Sequence, residues 1–364
     1  MKSYREVLGK VEGLQRGFTS GTCAQAAAKG AMLMLLSKKK ENEVLVKLKG
    51  GMELTIPLIG QIFSEKSVSC GVIKDSGDDS DISHGKEFRA EVQWIDTPGI
   101  SILGGKGVGT VTLPGLPVAP GEAAINPNPL RMINRELEPL LPAGKGVSVT
   151  ISVPEGEILA KETWNPRLGI TGGISIIGTS GIIEPKSSKA YKASIALCMN
   201  VLKKSGSQSV YITPGYVGEA YLKKTKDLSD EEIIKVGDHV GFALDTARLK
   251  GFKKIVFVGH IGKMAKIASG IFNTHCKYGD ARLETIAAYA GAGGASQDDI
   301  IKLLEMTMAE ASVAFLKERN LMITFDLLNK KIIERSLLRL KKNIPLTSII
   351  LDLKGQVLSE LNFE

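Results

Sequence analysis

Two short stretches hold most of the chemistry-bearing side chains in the first half of the chain. In KDSGDDSDISHG, Lys74 to Gly85, four aspartates (Asp75, Asp78, Asp79, Asp81) stand close to His84. Carboxylates grouped with an imidazole can bind a divalent ion, orient a cationic group or remove a proton. The spacing is not that of an EF-hand loop, which needs alternating oxygen ligands, a central Gly and a terminal Glu. The same residues also make an acidic surface turn, because Asp, Gly and Ser suit turns. In RGFTSGTCAQ, Arg16 to Gln25, Thr19, Ser20, Thr22 and Cys23 surround Gly21 at the mouth of an alanine-rich helical run. The first N–H groups of a helix have no intrahelical acceptor, so hydroxyls there either cap them or join them around an anion. A cap contributes about 1 kcal/mol and a terminal anion about 0.3–1 kcal/mol, so energy does not separate the two roles. One hydroxyl suffices for a cap, and the redundancy points to binding. Cys23 is either a nucleophile with a lowered pKa or a small packing residue.

The second half supplies glycine loops in place of such clusters: Gly178-Thr179-Ser180-Gly181, Pro214-Gly215-Tyr216-Val217-Gly218 and Gly259-His260-Ile261-Gly262-Lys263. Glycine lets a ligand approach the backbone, and a following helix presents free N–H groups to an anion; glycines also simply close tight turns. GHIGK is not a GxxxxGK[ST] phosphate loop, and no GxGxxG opens a helix here. GGKGVGTVTLPG, Gly104 to Gly115, lacks a helix-starting context and reads as a flexible hairpin or a cover over a ligand.

The elements that must position these groups change in grammar near the middle. VLVKLKGGMELTIPL alternates about Gly50-Gly51 as a β-hairpin does, and VSCGVI, FRAEVQWI and VSVTISV read as further strands. PGLPVAPGEAAINPNP is an extended loop before a short helix around Leu130 to Leu140. After Trp164, apolar runs ending in glycine loops alternate with helical patterns: ISIIGTSG, SVYITPGYVGE and KIVFVGHIGK, then LMITFDL and TSIILDL. Strands apolar along their length and alternating with helices imply a mostly parallel sheet covered on both faces. The expected fold is therefore an α+β domain over residues 1–160 followed by a Rossmann-like α/β domain over 161–364. Open parallel sheets bind ligands at the carboxyl ends of their strands, near a topological switch point.

At 364 residues the chain exceeds one ordinary core, and 43% hydrophobic with 24% charged residues is a globular composition. The net charge of +8 comes from scattered basic pairs and suits a polyanionic small molecule. No RNP-type stretch, zinc finger or basic zipper supports nucleic acid. The charged start MKSYREVLGKVEG and the short apolar run Ala31 to Leu36 give neither a signal peptide nor a membrane span, so the expected compartment is the cytoplasm. The four cysteines lack zinc-ligand spacing and read as free thiols.

Five blocks taken together, GFTSGTCAQAAAKGA, CGVIKDSGDDSDISHG, GGKGVGTVTLPGLPVAPGEAAINPNPLRMI, NPRLGITGGISIIGTSGIIEP and VGHIGKMAKIA, resemble the anaerobic-pathway cobalt-precorrin-5B C1-methyltransferases of cobalamin biosynthesis, in order from about Arg16 to Gly294. The resemblance implies methyl transfer from S-adenosylmethionine to C-1 of a cobalt-bearing tetrapyrrole, giving cobalt-precorrin-6A, on an α+β domain followed by a Rossmann-like one. The cobalt belongs to the substrate, so no protein metal site is expected. Other methylases of the pathway form a different fold group and lend no site residues. Physical reasoning assigns catalysis to Asp75, Asp78 and Asp79, as groups that stabilise positive charge on the macrocycle or remove a proton, with His84 or His260 as alternatives. Substrate carboxylates would meet Thr19, Ser20, Gly21, Thr22, Cys23 and His84. The donor would sit at the carboxyl ends of the second-domain strands, by Thr179, Ser180, Gly215, Gly259, His260 and Gly262. Two other classes stay open: an ATP-dependent small-molecule kinase, with magnesium on the aspartates, and a non-catalytic tetrapyrrole carrier. The expected partner is a polycarboxylate cobalt-tetrapyrrole, without nucleic acid or membrane, and the chain is a possible homo-oligomer.

Overall fold

The computed structural model describes residues 3–341 and 344–364. The chain divides into two compact units, Met1–Ser188 and Lys189–Glu364. The first is built on a five-stranded sheet in the order Ile59–Phe63, Ser67–Ile73, Glu87–Ile95, Gly146–Ser152, Gly99–Gly104, antiparallel except for its last pair. Period-two alternation decides which face is covered. Val68, Cys70 and Val72, then Phe88, Ala90 and Val92, then Val147, Val149 and Ile151, are all fully buried. Helix Ser20–Ser37 packs across these strands. Its small residues set the approach: Cys70 Sγ donates to the Ala27 carbonyl at 3.2 Å, and a Cβ on Gly30 would stand 2.5 Å from Leu58 Cδ1. The hairpin Glu43–Lys47 with Glu53–Pro57 turns at Gly50 and Gly51, whose φ of +90° and +86° favours glycine at both positions. The short helix before the fourth strand runs Pro127–Leu137.

The boundary expected near residue 160 falls after Ser188 instead. Residues 170–183 pair with first-unit backbone: Ile170–Thr171 with Thr110–Val111, Gly173–Ile174 with Gly107–Val108, and Ile182–Ile183 with Gly17–Phe18. ISIIGTSG is thus not a strand of the second sheet, and GGKGVGTVTLPG does not fold on itself as a hairpin. Glycine is the physical reason. A Cβ on Gly173 would lie 2.3 Å from the Gly107 carbonyl oxygen, and one on Gly109 2.7 Å from that of Gly173, so only bare backbones can approach this closely.

The second unit carries a five-stranded sheet in the order Ile233–Lys235, Ser209–Thr213, Lys254–His260, Leu346–Leu351, Val357–Phe363. The first four strands are parallel and the last is antiparallel. Ile255, Val256, Phe257 and Val258 are buried in succession, as a strand covered on both faces requires. Helices Tyr216–Lys226, Val240–Leu249 and Ile261–Ala268 follow the first three strands in chain order. From Ser209–Thr213 the chain moves first to the edge strand Ile233–Lys235, then back across to Lys254–His260. The switch point therefore lies between Ser209–Thr213 and Lys254–His260. LMITFDL, expected as a strand, opens helix Ile323–Leu340. Its buried Phe325, Leu328, Ile332, Ser336 and Leu340 show a helical period longer than that short window.

Candidate functional site

In the first unit the RGFTSGT stretch enters its helix with Thr19 as N-cap, its Oγ1 accepting the Thr22 N–H at 3.3 Å. The remaining polar groups reach a segment more than 150 residues away. Gly21 N–H donates to the Ile177 carbonyl at 2.9 Å and Thr19 N–H to that of Gly181 at 3.0 Å. Ser20 Oγ accepts from Ile177 N–H at 2.9 Å, and Thr22 Oγ1 donates to the Gly181 carbonyl at 2.8 Å. Thr19, Ser20, Gly21, Thr22 and Cys23 are all buried. Cys23 is fully buried, and burial pushes its thiol up, which favours the packing role over a thiolate. Thr179 and Ser180 stand exposed on the tethered segment, held by Asn128 Nδ2 donating to the carbonyls of Gly178 at 2.5 Å and Thr179 at 3.1 Å. They belong to the first unit, not to the strand ends of the second.

The acidic loop is tied to the same region. Phe18 N–H donates to the Asp75 carbonyl at 2.8 Å, and a Cβ on Gly17 would lie 2.2 Å from the Ser76 carbonyl carbon. Asp75, 6% exposed, accepts from Arg5 Nε at 2.7 Å, Tyr4 OH at 3.1 Å and Gly77 N–H at 2.9 Å. Burial raises its pKa, but the Gly77 N–H, Arg5 and Tyr4 outweigh that and hold the carboxyl below the usual range. Asp78 accepts the Gln15 N–H at 2.7 Å, Asp79 accepts the Lys186 N–H at 3.1 Å, and Asp81 pairs with buried Lys74. His84 takes the Ser76 N–H on Nδ1 at 3.0 Å, which assigns the proton to Nε2. Its side chain is 49% exposed. The 177–186 segment thus links two motifs that are separate in the sequence.

In the second unit Gly215, Gly259, His260 and Gly262 flank the switch point. Gly259 is a packing glycine, since a Cβ would stand 2.9 Å from Met264 Sδ, whereas a Cβ on Gly215 would meet nothing within 4 Å. His260 caps the helix that follows, its Nδ1 accepting the Gly262 N–H at 3.2 Å, and its Nε2 lies 2.8 Å from Glu310 Oε2. The Glu310 carboxylate also takes the Leu353 N–H at 3.1 Å, just past strand Leu346–Leu351. Lys263 Nζ donates to the Pro214 carbonyl at 3.1 Å and pairs with Asp238 Oδ1 at 3.1 Å. These contacts lace together the carboxyl ends of four parallel strands. Lys263, Glu310 and Asp238 are absent from the sequence-predicted set. Asp238 stands just past the second strand of a strand–glycine loop–helix–strand unit, about 20 residues past Gly218, a spacing that becomes a signal only once the short strand Ile233–Lys235 is known.

Among the described residues no group of three or more His, Cys, Asp or Glu side chains is arranged to hold a metal ion, and no helix is long and apolar enough to cross a membrane. An open, largely parallel sheet laced at its switch point, preceded in the chain by an α+β unit with a buried polar helix start, defines a two-unit protein of mixed α and β structure.

Comparison with known proteins then makes the assignment particular. Residues 8–185 match the family model described as CbiD, ending close to the Ser188 boundary, and residues 273–361 match CbiD, C-terminal domain. A relative from Alkaliphilus metalliredigens, named cobalt-precorrin-5B C(1)-methyltransferase, is 40% identical over 346 residues, covering 95% of this chain and 92% of its own. One of the same name from Thermoanaerobacter sp. is 44% identical over 305 residues, covering 84% and 83%. The crystal structure of a cobalamin biosynthesis protein (cbiD) from Archaeoglobus fulgidus is 29% identical, covers 72% of this chain and 82% of that one, and has a TM-score of 0.38. The chain belongs to the CbiD family.

Proposed function

We propose that this protein methylates C-1 of cobalt-precorrin-5B, giving cobalt-precorrin-6A, in cobalamin biosynthesis. The observation that carries this is the 40% identity, over nearly the full length of both chains, to a relative named for that reaction. S-Adenosylmethionine is the methyl donor in this reading: its sulfonium supplies an activated methyl group, which passes to the macrocycle carbon and leaves S-adenosylhomocysteine. What the protein must then do is hold two large ligands in near-attack geometry and exclude water.

The second unit, read as Rossmann-like, takes the donor at its switch point. The open space above Gly215 fits a ligand pressed against backbone, while Gly259, His260 and Gly262 shape the crevice wall. In the first unit, exposed Thr179 and the Nε2–H of His84 are the groups offered to substrate carboxylates; Ser180, its Oγ bonded to Ile182, shapes the segment that carries Thr179, and Thr19, Ser20 and Thr22 position it. The net charge of +8 favours a polycarboxylate macrocycle. Asp78, exposed, and Asp79 are the aspartates that can face positive charge on that macrocycle, and Asp75 is scaffold. Cobalt arrives with the substrate. The free cysteines fit a reducing cytoplasm, and the reading involves no nucleic acid or membrane.

The test is to incubate the protein with cobalt-precorrin-5B and methyl-13C-labelled S-adenosylmethionine, with calorimetric titration of S-adenosylhomocysteine and of magnesium–ATP alongside. One labelled methyl at C-1 is the expected product. No transfer together with ATP binding would turn the assignment to a kinase. Tightly bound tetrapyrrole without turnover would turn it to a carrier.

A further inference from the structure

We propose that Asp238 is the acceptor for the ribose hydroxyls of a nucleoside bound in the second unit, with Lys263 as its positioning residue; the proposal rests on the donor reading above. Three observations carry it. The first is topological: Asp238 stands just beyond the edge strand Ile233–Lys235, beside the strand whose glycine loop flanks the switch point. A nucleoside lying over Gly215 would direct its sugar toward that neighbouring strand end, where a carboxylate is the suitable acceptor for paired hydroxyls.

The second observation is which oxygen is in use. Thr274 Oγ1 donates to Asp238 Oδ1 at 2.8 Å, and Lys263 Nζ stands 3.1 Å from that same oxygen. Oδ2 has neither partner, and the side chain is 31% exposed, so one oxygen is anchored and the other is presented. Burial alone would raise the Asp238 pKa, but the Thr274 hydroxyl and Lys263 overcome it and keep the group an ionised acceptor.

The third observation is preorganisation. Lys263 spans from Asp238 to the Pro214 carbonyl, tying the carboxylate to the residue before Gly215. Thr274 N–H donates to the Asp238 carbonyl at 3.0 Å. Its own segment is held by the buried Lys266 ammonium, which donates to the carbonyls of Thr274 and Gly279, each at 3.1 Å. An acceptor fixed in this way loses little entropy on binding, and its charge repels a sugar carrying a phosphate at the same hydroxyl.

The experiment is calorimetric titration of the full chain with S-adenosylhomocysteine and its 2′-deoxy and 3′-deoxy forms, for the wild type, Asp238→Asn and Gly215→Leu. The wild type should bind at least one deoxy form about tenfold or more weakly, the worth of a hydrogen bond to a charged acceptor. Asp238→Asn should bind the parent compound weaker by a similar factor and should no longer discriminate between the three. If a folded Asp238→Asn protein binds the parent within twofold of wild type, or still ranks the deoxy forms as wild type does, the ribose assignment is overturned while the donor site stands. If Asp238→Asn does not fold, equal wild-type affinity for all three compounds overturns it. Unchanged binding in Gly215→Leu, or no binding to the wild type, removes the donor reading and the proposal with it.

Discussion

Replacing Asp75 with Asn separates a scaffold role from a catalytic one. The carboxylate takes three donors, from Arg5 at 2.7 Å, Gly77 N–H at 2.9 Å and Tyr4 OH at 3.1 Å. The Arg5 side chain is 61% exposed, so solvent screening reduces that ion pair to about 0.2–1 kcal/mol. The other two bonds reach a charged, buried acceptor and are worth about 1.5–3 kcal/mol each. Asn retains one acceptor oxygen and with it about half of this total, so the expected loss is about 2–4 kcal/mol. For a unit the size of Met1–Ser188 each kcal/mol moves Tm by about 2–4 °C, giving a fall of about 4–16 °C in its calorimetric transition. The pH dependence has a fixed sign. Because the folded pKa lies below the unfolded value of about 3.9, the stabilisation is complete above that pH and is lost as pH falls through the folded value. The Tm gap between wild type and Asp75→Asn should therefore be constant near neutrality and close below about pH 4. Turnover at a temperature where the variant is folded should fall by less than about tenfold. A variant with wild-type Tm and turnover reduced by more than about a hundredfold would place Asp75 in the chemistry and refute the scaffold reasoning.

Gly215→Leu should keep wild-type stability to within about 0.5 kcal/mol by chemical denaturation, because its extended backbone and open surroundings accept a side chain, yet lose S-adenosylhomocysteine binding. Gly17→Ala should behave oppositely: its Cβ would sit 2.2 Å from Ser76 backbone, so the acidic loop must move away, and a loss of more than about 3 kcal/mol should be read in the melting of the first unit. Iodoacetamide at neutral pH should label exposed Cys276 alone in the native protein and all four thiols after denaturation; burial hides Cys23, Cys70 and Cys198 and pushes the Cys70 thiol up to about 12, so native labelling of Cys23, read by mass spectrometry, would contradict the buried helix start.

The strands that local pattern reveals are those whose burial follows from their own side chains. Val68, Cys70 and Val72 alternate, Ile255 to Val258 do not, and each pattern implies its kind of sheet without knowledge of a partner. ISIIGTSG looks like the latter kind, but Gly173 just before it pairs with Gly107, and its own Ile174 pairs with Val108 and accepts the Gly109 N–H, more than 60 residues upstream. Nothing in its own residues distinguishes a bare-backbone contact with those glycines from membership of a parallel sheet.

The same reasoning explains why the site was only half legible. A run such as FTSGT shows that a helix start has polar groups to satisfy, but not which groups satisfy them; the answer lies at Ile177 and Gly181, across more than 150 residues of chain. Once those bonds are made, the conspicuous hydroxyls and Asp75 are engaged within the chain, as is Ser180, whose Oγ donates to the Ile182 carbonyl and accepts the Ile182 N–H, each at 3.2 Å; the exposed Thr179 and His84 beside them are less conspicuous in the sequence. In the second unit the alternating pattern sets Gly215 and His260 at the ends of parallel strands beside the switch point, where such a sheet leaves backbone unpaired. It did not single out Asp238, since one aspartate in a loop is unremarkable until the fold sets it beside the switch point with one oxygen anchored. A functional group in this chain is thus recognised less by its own polarity than by whether the rest of the chain has already used that polarity.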